Sequence, residues 1–65
     1  MTEYRIDYSV MTHDDVWVTG IAQATNDTMN EQVAQQYAAY DLFDTTDVEP
    51  GSFDVHTIDV EWEQA

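Results

Sequence analysis

EYRIDYSVM, residues 3–11, is the stretch that decides the fold. Tyr4, Ile6, Tyr8 and Val10 alternate with Glu3, Arg5, Asp7 and Ser9, the two-residue period of a strand with one buried face. The polar run Thr12-His13-Asp14-Asp15 is short enough for a hairpin loop. VWVTGIAQ, residues 16–23, then reads as a second strand, with Val16, Val18 and Ala22 on one face and Trp17 and Ile21 on the other. One of these large groups belongs on an open face, and Gly20 suggests a bend or bulge.

Downstream the period changes. Asn26-Asp27-Thr28 is expected to open a helix, because Thr28 followed by Glu31 has the spacing of a capping box. Met29, Val33, Tyr37, Tyr40 and Phe43 recur at three- and four-residue steps, which predicts the apolar stripe of that helix. Ala34, Ala38 and Ala39 flank the stripe, and Leu42 lies off it. Residues 44–51 form a loop ended by Pro50-Gly51.

FDVHTIDVEW, residues 53–62, supplies the third strand. Phe53 and Val55 share one parity, whereas Ile58, Val60 and Trp62 share the other. Either a bulge at His56-Thr57 restores them to one face, or the strand is only 57–62 and Phe53 belongs to the loop. The expected architecture is α+β: a three-stranded antiparallel sheet in spatial order 2-1-3, with one helix packed on one face. The other face has no second layer.

Sixty-five residues make one small domain, near the lower limit for a core without a staple, and no cysteine is present to provide one. Eight aromatics (Trp17, Trp62, Tyr4, Tyr8, Tyr37, Tyr40, Phe43 and Phe53) set the chain apart from acidic disordered segments. Fourteen acids face one base, Arg5, for a net charge of −13. Such a charge works against the compact state and repels nucleic acid and anionic membranes. The N-terminus has no basic region and no apolar run of export or spanning length, so a cytoplasmic protein is expected.

Catalysis finds little support. The two histidines, His13 and His56, fall in the hairpin and in the third strand, no thiol exists, and neither Ser9 nor Ser52 has a base placed beside it by any motif. A non-enzymatic protein without a cofactor is expected. Asp44, Asp47 and Glu49, or His13-Asp14-Asp15, offer oxygen ligands, but neither run has the twelve-residue pattern of an EF-hand, and no specific metal site is expected.

The surface acids are the candidate site. Asp59, Glu61 and Glu63 alternate on the third strand, pointing one way about 6.6 Å apart. Glu3 and Asp7 point away from the core side of the first strand. With the two strands adjacent, five carboxylates share the open face, Arg5 among them. Like charges opposite one another destabilise a sheet, so the arrangement has a cost. The expected partner-binding set is Glu3, Asp7, Asp59, Glu61 and Glu63, with Asp14 and Asp15 of the hairpin, Asp54 of the late segment, and Trp17 as an apolar anchor. Trp62 and Tyr40 are further anchor candidates, and at least one tryptophan is expected in the core. The plain alternative is a solvated face whose acids serve solubility and edge protection.

Tyr4–Val10, the helix from Thr28, and Gly51-Ser52-Phe53-Asp54-Val55 leading into the last strand resemble, as a pattern, small phage-encoded inhibitors of host enzymes, among them the phage inhibitor of bacterial RNA polymerase. That family carries basic residues on its last strand, where this chain has His56, Ile58 and Asp59. In charge and size the chain is also similar to DNA-mimic proteins: uracil-DNA glycosylase inhibitors, anti-restriction proteins and some anti-CRISPRs. The resemblance implies a phage protein that occupies the cationic groove of a host nucleic-acid-binding protein such as an RNA polymerase, nuclease, glycosylase, restriction or CRISPR enzyme, or nucleoid protein. Two other readings stand beside it: a domain made acidic for molar salt, and an acidic adaptor or subunit whose open face is covered by a partner or, as a homodimer, by its own copy.

Overall fold

The alternation at the N-terminus becomes β1, Thr2–Met11, the central strand of a three-stranded antiparallel sheet. The computed structural model describes residues 1–65, apart from the side chain of Pro50. β2 (Trp17–Asn26) and β3 (Asp59–Gln64) pair on either side of β1, in the order β2-β1-β3. A single helix, α1 (Glu31–Thr45), packs on one face of the sheet. The α+β architecture and strand order follow the sequence pattern.

The hairpin between β1 and β2 is closed by a bond from the Thr12 N–H to the Val16 carbonyl (2.9 Å) and a turn bond from the Asp15 N–H to the Thr12 carbonyl (3.0 Å). Asp15 takes a left-handed φ of 61°, which a short polar side chain tolerates better than most. A three-residue loop with a left-handed last residue is a common hairpin closure.

β2 is longer than its sequence pattern indicates and contains no bulge. Every residue from Thr2 to Met11 has a partner, running from Thr2↔Asn26 to Met11↔Trp17. Gly20 is required for space instead: Tyr8, its cross-strand partner, lays its ring over the glycine, and a β-carbon there would collide with Tyr8 Oη and lie 2.6 Å from Cζ.

The helix starts later than its capping-box pattern suggests. Because β2 continues to Asn26, Thr28 falls in the connection, where its N–H bonds to Asn26 Oδ1 (3.3 Å). Asn30 is the N-cap, its Oδ1 accepting from the Val33 N–H at 3.0 Å. The buried side is also not the predicted stripe. Ala34, Gln35, Ala38, Ala39 and Leu42 are buried, Met29, Val33 and Tyr37 are half-buried, and Tyr40 and Phe43 are exposed. Opposite the helix, β2 contributes Ala22 and Ala24 to the core. Small residues on both sides allow close approach, and the aromatics are left at the margins.

The third strand is shorter than 53–62. His56 and Thr57 belong to a 3₁₀ turn, Val55–Thr57, rather than to a bulge, and Phe53 is a buried loop residue stacked at 5.7 Å from Phe43. The phase change in the sequence therefore marks a turn entering the strand at Asp59. Gln35 fixes this entry: its buried Nε2 donates to the carbonyls of Ile58 (3.0 Å) and His56 (3.3 Å). The core is thin. Its largest fully buried side chains are Ile6, Leu42, Ile58 and Val10, each worth about 1.5–3 kcal/mol of burial.

Candidate functional site

The register of the two ladders builds the open face in rows. Residues paired across antiparallel strands share a face, so with Ile6, Tyr8 and Val10 in the core and Tyr4 half-buried on the same side, their odd-numbered neighbours go to the uncovered side. Gln23, Arg5 and Glu63 form one row, Ile21, Asp7 and Glu61 the next, and Thr19, Ser9 and Asp59 the third. Thr25 lies beside Glu3 at one end, and Trp17 beside Met11 at the other. Each of the three full rows runs from an uncharged residue on β2 to an acid on β3.

Five predicted acids, Glu3, Asp7, Asp59, Glu61 and Glu63, are thus gathered on the β1–β3 half of one face. Asp7 and Glu61 are direct cross-strand partners, an arrangement that costs a few tenths to about 1 kcal/mol. Arg5 sits among them, with Nη2 3.4 Å from Asp7 Oδ1 and Nη1 3.8 Å from Glu63 Oε1. All three side chains are about half exposed or more, so each contact contributes under about 1 kcal/mol and leaves most of the negative field intact.

The remaining predicted residues divide. Trp17 is on this face and 55% exposed. Asp14 and Asp15 lie in the hairpin beyond the end of the face, and Asp54 is away from it, capping the 3₁₀ turn through a 2.9 Å bond from the His56 N–H. The expectation of a core tryptophan is not met. Trp62 is on the helix side, opposite Ile6, but β3 is the margin of the sheet and Trp62 remains 39% exposed. Two apolar residues of the face, Met11 (47% exposed) and Ile21 (52%), complete a strip with Trp17. Ile21 shares parity with Trp17 in the sequence, whereas Met11 was obscured by its place at the mouth of the hairpin.

Tyr8, on the opposite side of β1, donates a hydrogen bond to Asp41 Oδ2 of the helix. Burial foremost, then the hydrogen bond to and the negative charge of Asp41, push the Tyr8 hydroxyl up to about 12, so it remains a neutral donor. No cluster of three or more His, Asp or Glu side chains able to hold a metal occurs among the described residues, although Asp14, Asp47 and Glu49 border one open groove. Surface grooves are open; one of about 370 Å³ lies between Tyr40 and Phe43 of the helix and Val55 and His56. Among the described residues no helix is long and apolar enough to cross a membrane. Comparison with family models, with curated proteins and with solved structures returns no match.

Proposed function

We propose that this chain is a non-enzymatic inhibitor that binds the cationic nucleic-acid-binding surface of a host protein, using the β1–β3 half of its open sheet face in place of a nucleic-acid backbone. The carrying observation is the row register that sets Glu3, Asp7, Asp59, Glu61 and Glu63 side by side with one arginine to offset them. Lysines and arginines that neutralise phosphates neutralise these carboxylates instead, and the same field speeds encounter. Binding recovers the repulsion that the free sheet bears. The strip of Trp17, Met11 and Ile21 supplies the apolar contact beside the charges that an interface needs.

The uneven placement of charge favours this reading over acidity for solvation in molar salt. β2 spans ten residues, largely exposed on one face, without a single acid. The protein acts in the cytoplasm of the host, as expected of a phage-encoded DNA mimic. The test is retention of bacterial lysate proteins on the immobilised chain at moderate salt, followed by elution with duplex DNA. DNA- or RNA-binding proteins should be retained and displaced by the duplex. Retention of none, or indifference to the duplex, contradicts the reading.

A further inference from the structure

The two margins of the sheet are protected unequally. β3 is six residues long and places Asp59, Glu61 and Glu63 along its edge, two established means of blocking strand addition. β2 is ten residues long, with no charge, no proline and an uninterrupted ladder. Its inward groups are those of the even-numbered residues: the Val16 carbonyl, in phase with them, accepts from Thr12 within the hairpin. The Thr25 carbonyl points outward, where Tyr37 Oη donates to it at 3.5 Å. By the alternation of an antiparallel ladder, Trp17, Thr19, Ile21, Gln23 and Thr25 all turn their N–H and C=O groups to the free edge. Among the described residues no backbone group outside the sheet bonds to them.

We propose that this edge pairs with β2 of a second copy, antiparallel about a two-fold axis at Ile21, joining two three-stranded sheets into one of six. Ile21 is the middle of the five outward residues, so an axis there opposes Ile21 to its copy, Thr19 to Gln23, and Trp17 to Thr25. The outward groups of Thr19, Ile21 and Gln23 then all find partners, the Thr25 carbonyl shares its second lone pair with the bond from Tyr37 Oη, and the closed two-fold contact does not propagate. Electrostatics selects this edge. Antiparallel pairing through β3 sets the acids Asp59, Glu61 and Glu63 of one copy against the same acids of the other, at about 5 Å between opposed positions. Pairing through β2 keeps the acidic strands, β1 and its copy, three strand spacings apart, about 14 Å, beyond the screening length of about 8 Å at physiological salt. It leaves close acids just past the strand ends, where the register runs on from Trp17↔Thr25 to Asp15 and Asp27. On a molecule of charge −13, the uncharged strand is the spacer that lets two copies meet. Because pairing extends the sheet in its own plane, both acidic halves stay uncovered, and the dimer is independent of the inhibitor reading.

Sedimentation of the full chain from micromolar to millimolar concentration, at 50 and 500 mM NaCl, tests this. A monomer–dimer equilibrium is expected, tightening roughly 10-fold or more with salt as residual repulsion is screened; binding to a cationic partner weakens over the same range. Ile21→Glu puts like charges on the axis, and Thr19→Pro deletes an outward N–H without touching the inner ladder. Each should be monomeric with an unchanged circular dichroism spectrum. Amide exchange at Thr19, Ile21 and Gln23 should slow with concentration in the parent chain. A parent that stays monomeric at 1 mM in 500 mM NaCl overturns the proposal, as does a dimer that survives Thr19→Pro or leaves these amides unprotected.

Discussion

β2 and β3 flank the same central strand, yet they differ in every property that governs what a strand edge can meet. β3 is short and acidic, and it enters the sheet from a 3₁₀ turn held by a glutamine. β2 is long and neutral, and it is fitted against the helix by small residues. The difference teaches that a very acidic chain need not be acidic everywhere. Its charge is graded across one sheet, and the neutral side leaves open an approach that the acidic side forbids.

The fit of β2 is the more sensitive of the two. Gly20→Val drives side-chain carbons into the ring of Tyr8 and should cost about 3 kcal/mol, read from the midpoint of urea unfolding. A neutral effect would mean that β2 is not held closely to the core. For β3 the matching change is Gln35→Leu, which removes the donor from the Ile58 and His56 carbonyls at the strand entry. About 2 kcal/mol should be lost, with faster amide exchange confined to β3.

The smallest effect belongs to the central strand. Tyr8 has a folded-state pKa near 12 against an ordinary value of 10.0, so its neutral form stabilises the fold fully below pH 10. That contribution is lost as pH rises from 10 through about 12. Tyr8→Phe, about 1 kcal/mol weaker at pH 8 for want of the Asp41 bond, should lose less stability than the parent between pH 9 and 11. Parallel loss in both would show that Tyr8 does not couple β1 to the helix.

Much of this grading is legible in the sequence, because the two-residue period of Glu3–Met11 and of Asp59–Glu63 assigns the acids to one face. Strand order followed from the element order and a single helix. The helix misled for a physical reason: Val33, Tyr37, Tyr40 and Phe43 form an apolar stripe, but close packing on Ala22 and Ala24 is better served by Ala34, Ala38 and Leu42. Leu42, fully buried though off the stripe, was the available signal. The turn at Val55–Thr57 leaves the same parity shift as a bulge at His56-Thr57 would, so pattern alone does not separate them. Gly20 likewise reads as a bend until Tyr8 is seen across it.

The claim that the acidic half is the binding surface is tested most directly by salt-dependent affinity for a retained nucleic-acid-binding protein. The comparison is between the parent chain and a variant carrying Asp59→Asn, Glu61→Gln and Glu63→Gln. Loss of affinity by roughly 100-fold, with a shallower dependence on salt and an unchanged fold, is the expected result. Equal affinity and an equal salt slope for the two chains would contradict it.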